Sequence, residues 1–184
     1  MALTKVLTGG LALDAVDNTI LKLDDDYALT GAVSGAGTIV QVVNVQTGAV
    51  ATGTSQIAAD DTIPQNTEGT EVLTLEITPT SASNKLLIQI VIYGSSSADA
   101  VMTPALFQDS TASALASISA YQSTGTGTHT LPLNHYMTAG TTSATTFKVR
   151  VGINSGTFTF NGYSGGRKLG GVAASSMTIT EIAV

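Results

Sequence analysis

The sequence contains no cysteine, which excludes disulfide bonds and thiolate-bound metal sites. It also lacks tryptophan and has only four phenylalanines and five tyrosines. Sugars usually stack on aromatic rings, which supply a large apolar contact area, so the composition gives glycan binding little support. Tyr121, Tyr136 and Tyr163 are the plausible candidates for such a contact, and packing in or around the core explains each of them equally well.

Charge is also scarce. Only 11% of the residues are charged, and 7 basic residues against 13 acidic ones give a net charge of −6. Nucleic-acid-binding proteins concentrate Lys and Arg, so we expect no nucleic-acid partner, and an anionic membrane is disfavoured for the same reason. The hydrophobic share of 43% is enough for a core and excludes a disordered chain. The polar surface must therefore be made mainly of uncharged residues.

Long hydrophobic runs are absent. The most apolar run, residues 86–93, contains Gln89 and is far too short for a membrane-spanning helix. The opening residues, MALTKVLTGG, hold too short an apolar stretch for a secretory signal. We therefore expect the chain to be made and folded in a cytoplasm, without membrane insertion.

What is present is a series of short strand patterns. The 19 glycines and many threonines favour strands joined by turns. Pro104 and Pro132 should place their strands at sheet edges or bulges. The series predicts an all-β fold, an antiparallel β-sandwich that is jelly-roll-like. Strands are predicted at residues 38–46, 71–78, 85–93, 101–108, 114–121, 128–137, 146–153, 157–161 and 176–182.

The chain divides near residues 31–37, GAVSGAG, which predict a flexible joint. We predict an N-terminal attachment arm over residues 1–37, including this joint, and a β-sandwich domain over residues 38–184. The arm is either a short coiled-coil helix or an extended segment, and in both forms its apolar side chains favour docking on a partner chain. The heptad-like spacing is carried by Leu13, Val16, Ile20, Leu23 and Tyr27.

The best candidate for a catalytic motif is GYSGG at residues 162–166, which matches the G-x-S-x-G nucleophile elbow around Ser164. The elbow needs a helix after its serine, whereas residues 165–171 read GGRKLGG, which cannot form a stable helix. No aspartate or histidine follows Ser164, although the catalytic acid and histidine come later in that fold. We therefore interpret the motif as a glycine loop.

Two histidines, His129 and His135, fall in one predicted strand. Their spacing puts them on the same face but ~20 Å apart at ~3.3 Å per residue, so one metal ion cannot join them. We interpret each as a polar strand residue or as a core histidine with a partner. A catalytic triad with a distant serine and aspartate stays open at this point.

The remaining charged clusters also favour ordinary roles. Residues 24–26 are three aspartates without the spacing of a calcium loop, and Asp60–Asp61 is interpreted as a turn. The loop Gly165–Gly171 carries Arg167 and Lys168 but lacks the order of a phosphate-binding loop. A solvated turn and a contact with an acidic sugar or a neighbouring subunit both fit it. The sequence therefore predicts no catalytic residue, no cofactor and no metal site.

Several Ser/Thr-rich phrases between Ile39 and the C-terminus resemble a domain of bacteriophage tail-fibre, head-fibre and capsid-decoration proteins. The phrases are IVQVVNVQTGAV, DDTIPQNTEG, LEITPTSASNKLLI, ALFQDSTASALA, AGTTSATTFKVRVG and ASSMTITEI. The resemblance implies a β-sandwich on the particle surface, usually trimeric, and brings no catalytic residues with it. Because one arm and one domain are present instead of a long repeated shaft, we expect a small cement or decoration protein, or a short head fibre.

These observations predict a non-enzymatic structural protein of the virion surface, a homotrimer whose residues 1–37 hold the major capsid protein or another virion protein. The alternative is a tail-fibre or spike tip that adsorbs to a host surface glycan or receptor. An enzyme such as a surface-glycan hydrolase is motivated only by Ser164 and scattered aspartates. A secreted or surface adhesion domain is a further alternative, against which the missing signal sequence argues.

Overall fold

The structure is a computed structural model that describes residues 37–123 and 127–184. The predicted all-β, antiparallel fold is confirmed, because every paired strand in these ranges runs antiparallel to its neighbours. The strands are β1 (Ile39–Thr47), β2 (Ala51–Gly53), β3 (Thr70–Ile77), β4 (Lys85–Ser96), β5 (Ala100–Gln108), β6 (Ala116–Ser117), β7 (Ala120–Gln122), β8 (His129–Thr138), β9 (Thr145–Ile153), β10 (Phe158–Phe160), β11 (Gly162–Tyr163), β12 (Gly166–Arg167) and β13 (Ser175–Ile182).

The predicted arm lies outside the described residues, except for Gly37. Its helical or extended form therefore stays a prediction, as does the domain boundary after residue 37. The jelly-roll connectivity also stays a prediction, whereas the sandwich itself is observed. Within the described ranges the chain forms no apolar helix of membrane-spanning length.

The first sheet is organised around β4, its longest strand. Strands β13 and β10 pair end to end along one edge of β4, and β8 pairs along the opposite edge. Strands β1 and β2 then pair with β13 and β10 and form the outer edge. The sheet is therefore four strands wide, with β1 at one side and β8 at the other.

The second sheet places β9 between β3 and β5, with β6 and β7 on the far edge of β5. The segment between β2 and β3 packs over the outer side of this sheet, where Ile57 forms a small buried cluster with Ala105 and Phe107. Gly152 permits this approach, because a Cβ at that position would lie 2.3 Å from the backbone nitrogen of Ile57.

One hydrophobic core lies between the two sheets, which is what defines the fold as a sandwich. Strand alternation explains its membership, since every second residue of β4, β9 and β13 points inward and is buried. The core includes Leu86, Ile88, Ile90, Met102, Leu106, Phe147, Val149, Phe158, Met177 and Ile179.

The two strand prolines behave differently. Pro132 lies in β8, which pairs only with β4 among the described strands, so its predicted edge position is confirmed. Pro104 lies in β5, which has neighbours on both sides and no register shift in its pairings, so the expected edge or bulge position was wrong. Pro104 accepts a bond from the Ile118 N–H but has no N–H to return to it. The predicted strand 114–121 is accordingly divided at Ile118 into β6 and β7.

Candidate functional site

The most distinctive surface of the domain is the outer face of the first sheet. Because successive strand residues alternate between faces, the residues opposite the buried ones on β1, β13, β4 and β8 all point outward. These residues are Val42, Asn44, Gln46, Ser176, Thr178, Thr180, Ile182, Lys85, Leu87, Gln89, Val91, Tyr93, Thr130, Pro132, Asn134, Tyr136 and Thr138. We call this set the outer face of the first sheet.

Strand register arranges these side chains in rows across all four strands. One row is largely apolar and runs through Val42, Thr180, Leu87 and Tyr136. Val42 is 55% exposed and Tyr136 is 57% exposed, so the row presents apolar surface to solvent in the single chain. Exposed apolar rows of this kind mark interaction sites when they are contiguous.

The next row is made of uncharged hydrogen-bonding groups, namely Asn44, Thr178, Gln89 and Asn134. Asn44 Nδ2 donates to Thr178 Oγ1 at 2.8 Å. The side-chain amides of Gln89 and Asn134 make no hydrogen bond with any described residue. Each therefore offers both donors and an acceptor to whatever covers the face.

Charge is almost missing from this face. Lys85 is its one ionisable group with a formal charge near neutral pH, and Lys85 Nζ donates to Thr138 Oγ1 at 2.6 Å. A surface without carboxylates and with one cation at its rim can be desolvated at low cost, because removing water from unpaired charges is the largest penalty in association.

The outer side of the second sheet is different. Glu71 and Arg150 form an ion pair of 3.3 Å across β3 and β9, and Lys148 and Glu76 also point outward there. Charges on this sheet are partly exposed, as expected for a surface that stays in water. The two outer faces of the sandwich therefore differ in how many charged side chains they carry, which affects how easily each can be desolvated on association.

The serine of the predicted catalytic motif lies in a tight hairpin. Tyr163 of β11 pairs with Gly166 of β12, and the two residues between them, Ser164 and Gly165, have φ angles of 50° and 73°. Two positive φ values in a two-residue loop indicate a type I′ turn. Ser164 is exposed at this turn, and strand β12 follows it instead of a helix. The interpretation of the motif as a glycine loop is confirmed.

His129 and His135 both lie in β8, and both point to its inner side with Leu131 and Leu133 between them. The prediction that they share a face is confirmed. Partial burial lowers the pKa of His135, because desolvation disfavours the imidazolium. Residues 37–123 and 127–184 contain no group of three or more His, Asp or Glu side chains placed to hold a metal ion.

Asp60 is exposed and forms the predicted turn. Its Oδ1 accepts hydrogen bonds from the Thr62 N–H at 2.9 Å and from the Thr62 hydroxyl at 2.5 Å. These hydrogen bonds lower the pKa of the Asp60 carboxyl, because they favour its charged form. The aspartates at residues 24–26 lie outside the described residues.

The loop Gly165–Gly171 is partly fixed by its own contacts. Lys168 Nζ lies 5.4 Å from the centre of the Tyr163 ring, a cation–π distance. Leu169 has a φ of 49° and is 72% exposed, so an apolar side chain is held outward by an unfavourable backbone conformation.

The three tyrosines considered for sugar contact are separated in the structure. Tyr136 is part of the outer face of the first sheet, Tyr121 lies in β7 and is 63% exposed, and Tyr163 contacts Lys168 in the hairpin loop. They lie on three different elements, each in a different sheet, because β11 and β12 form a two-stranded sheet of their own. Sequence reasoning had not singled out Gln89 or Asn134, whose importance depends on strand register.

The described residues thus define an all-β sandwich domain with one outer face that carries a single charged side chain and one that carries several. Residues 37–184 match the family model described as the Pgp3 C-terminal domain. Because the match covers most of the chain, the protein belongs to the Pgp3 C-terminal domain family. The family description names no bacteriophage, so the match does not test the resemblance to phage proteins. No curated protein matches the sequence.

Solved structures show weak similarity in chain path. The bacteriophage CBA120 tailspike protein 4 enzymatically active domain is 16% identical with a TM-score of 0.29, over 67% of this chain and 19% of that chain. A structure of infectious bursal disease virus Gx strain and one of its VP2 subviral particle are each 9% identical, with TM-scores of 0.33 and 0.30. They cover 79% and 80% of this chain, which spans 39% of each of theirs. Similarity at this level transfers no function.

Proposed function

We propose that this chain is a non-enzymatic structural protein of a bacteriophage particle that assembles as a homotrimer through the outer face of the first sheet. The sequence resemblance to phage fibre and decoration domains supports the assignment to a bacteriophage particle. The single observation that carries self-association is a face four strands wide with one charged side chain. The virion surface is the location that this role implies.

The size of the face suits part of an interface. Four strands spaced ~4.8 Å apart and rows spaced ~6.6 Å along each strand give the face an area of roughly 500 Å². A stable interface buries ~800 Å² on each partner, so contacts from neighbouring strand edges or loops must add to it. In a trimer this face packs against a different surface of the next copy, because threefold interfaces are heterologous.

The amide row explains why such a contact would be specific. Gln89 and Asn134 leave their hydrogen-bonding groups unused within the described chain, so a partner that covers them must supply matching groups. The apolar row through Leu87 and Tyr136 would contribute the hydrophobic stabilisation, because its apolar surface is removed from water on contact. Together the rows favour one partner surface over a general apolar contact.

Association is tested by the mass of the full chain in solution, measured by size exclusion with light scattering. The expected mass is about 56 kDa, three times the 18.6 kDa of one chain. Gln89→Lys places a charge in the middle of the outer face, where an isolated chain tolerates it because Gln89 is exposed. We expect this variant to be monomeric at the same concentration.

The matched control is Glu76→Lys, an exposed change of charge on the other sheet, which should leave the trimer intact. A wild-type chain that is monomeric at 100 µM would overturn the association proposal. A Gln89→Lys trimer of unchanged stability would show that another surface holds the copies together.

The second part of the proposal is attachment through residues 1–37 to the major capsid protein or another virion protein. The test is to delete residues 1–30 and measure occupancy on empty shells. We expect occupancy to be lost while the trimer mass remains. Unchanged occupancy would contradict attachment by the arm, and electron microscopy of labelled particles would separate a shell position from a tail position.

A further inference from the structure

The outer side of the second sheet contains a hollow of about 300 Å³. Strand β9 supplies Lys148 and Arg150 to its wall, and β3 supplies Glu71. The turn after β5 supplies Asp109 and Ser110. A volume of this size lies at the lower end of the range for small-molecule sites.

Arg150 forms a rigid wall of the hollow. Its Nε donates to the Glu68 carbonyl at 2.6 Å, its Nη2 donates to the Gly69 carbonyl at 2.9 Å, and its Nη1 pairs with Glu71 at 3.3 Å. The Arg150 charge is therefore balanced by Glu71 and its main donors are occupied. This clamp fixes the start of β3 against β9 whether or not the hollow is filled.

Lys148 is not balanced in this way. It is half-buried, it lies between Thr74 and Phe107 of the neighbouring strands, and it makes no hydrogen bond or ion pair with any described residue. Of the two acids in the lining, Glu71 pairs with Arg150 and Asp109 Oδ1 accepts from the Thr146 N–H at 2.8 Å, and neither forms an ion pair with Lys148. A half-buried ammonium without a partner favours an anion, since desolvation of a lone charge is costly.

Other hydrogen-bonding groups line the same hollow. Asn66 Nδ2 is fixed by the carbonyls of Ser110 and Thr111, at 3.2 and 3.1 Å, which leaves Asn66 Oδ1 available as an acceptor. Asp109 uses only Oδ1 in its bond to Thr146, so Oδ2 is also available. Asp109 holds a positive φ of 49°, an uncommon conformation that often accompanies a functional position.

We infer that this hollow binds a carboxylate-bearing sugar of the uronic acid class. The Lys148 ammonium pairs with the sugar carboxylate, and Asp109 Oδ2, Asn66 Oδ1 and the Ser110 hydroxyl receive the ring hydroxyls. Phe107 is 1% exposed, so it forms an apolar floor and not a stacking platform. Recognition is therefore polar, which fits a chain with few aromatic residues.

This inference goes beyond the structural role proposed above and does not depend on it. The hollow lies on the second sheet, whereas the self-association proposal rests on the outer face of the first sheet. In the lining, Lys148 and Arg150 balance the charges of Glu71 and Asp109, and repulsion from more distant acids of the net charge of −6 is screened beyond ~10 Å at ~0.1 M salt.

The test is ligand-observed NMR on the full chain with methyl β-glucuronide as the probe. We expect a Kd on the order of 1 mM, which is usual for a ligand of this size. Methyl β-glucoside, which lacks the carboxylate, should bind at least tenfold more weakly. Acetate, which lacks the hydroxyls, should also bind at least tenfold more weakly.

Variants then locate the site. Lys148→Met keeps the length of the side chain without its charge and should weaken glucuronide binding at least tenfold, whereas Lys148→Arg should retain it. Glu76→Gln removes an exposed charge on the same sheet but outside the hollow, so it is the control and should bind as the wild type does. Absence of glucuronide binding at 10 mM, equal binding of glucoside, or unchanged affinity in Lys148→Met would overturn the inference. Acetate as tight as glucuronide would overturn the sugar assignment.

Discussion

Asn84 Nδ2 donates a hydrogen bond of 2.6 Å to Glu181 Oε1, a contact that joins residues 97 positions apart. Glu181 is fully buried in β13, and the same carboxylate accepts bonds from Gln41 at 2.6 Å and from the Thr80 N–H and hydroxyl at 2.8 Å. The turn between β3 and β4 is thereby fastened to β13 and β1. Burial alone would raise the pKa of Glu181, but these hydrogen bonds lower it to about 2.

The depressed pKa of Glu181 predicts acid sensitivity. Because the folded pKa of about 2 lies below the ordinary value of 4.5, the carboxylate contributes its full stabilisation above pH 4.5 and loses it as the pH falls toward 2. We expect Glu181→Gln to lose ~1–3 kcal/mol at pH 7, since donors aimed at the carboxylate become poorly matched. Urea unfolding midpoints from pH 7 to pH 2.5 measure both effects.

In this series the loss of stability between pH 4.5 and 2.5 should be smaller in Glu181→Gln than in the wild type. Glu76→Gln, which alters an exposed carboxylate, should stay within ~0.5 kcal/mol of the wild type at pH 7. Parallel pH curves for wild type and Glu181→Gln would contradict the role assigned to this carboxylate.

Asn161 is predicted to be a second buried polar anchor. It is fully buried at a φ of 54°, its Nδ2 donates to the carbonyls of Thr47 and Ala49, and its Oδ1 accepts from Ser175 Oγ. Asn161→Gly should cost ~2 kcal/mol from unpaired buried groups. Asn161→Ala should cost ~1–2 kcal/mol more, because alanine is strained at this φ. Equal thermal stability of the two variants would rule out the backbone contribution.

Gly152 is predicted to be required for packing of the segment between β2 and β3. A Cβ there would meet the backbone nitrogen and side chain of Ile57, so Gly152→Ala should cost ~1–3 kcal/mol by overpacking. Gly166→Ala is the control, because a Cβ at Gly166 lies at an ordinary 3.6 Å from the Tyr163 carbonyl. Chemical denaturation of both variants decides the point, and equal stability would argue against close packing at Gly152.

Self-association and glucuronide binding should respond differently to salt concentration. Association through the outer face of the first sheet depends on apolar and amide groups, so sedimentation should show the same oligomer at 50 mM and 1 M NaCl. Glucuronide binding at Lys148 should weaken several-fold over the same range, because it depends on a partly exposed charge. Dissociation of the oligomer by salt would indicate that ion pairs hold it.

Much of the fold follows from alternation in the sequence. Strands such as β4, β9 and β13 were predicted within a few residues because each buries every second side chain. Strands β2, β11 and β12 were not predicted, since two or three residues carry no periodic signal. The division of residues 114–121 depends on Pro104, which lies on a different strand and whose position is known only once the strands are paired.

The sequence of β4 does contain a signal for the outer face of the first sheet, because its outward positions are also largely apolar. Gln89 looked like an interruption of an apolar run, whereas it is an outward residue between Leu87 and Val91, which also point outward. An antiparallel strand that is apolar on both faces indicates that its outer face is covered. The hollow had no such signal, because Asn66, Asp109 and Lys148 come from three separate segments.

The proline in β8 affects whether another chain can add a strand to the edge of the first sheet. A bare strand edge is a template onto which another β-chain can add, and repeated addition produces fibrils of unlimited length. Pro132 interrupts the edge of β8 that faces away from β4, because it has no N–H to offer an incoming strand. Addition of a further strand at this edge is thereby disfavoured, and with it amyloid-like polymerisation through β8.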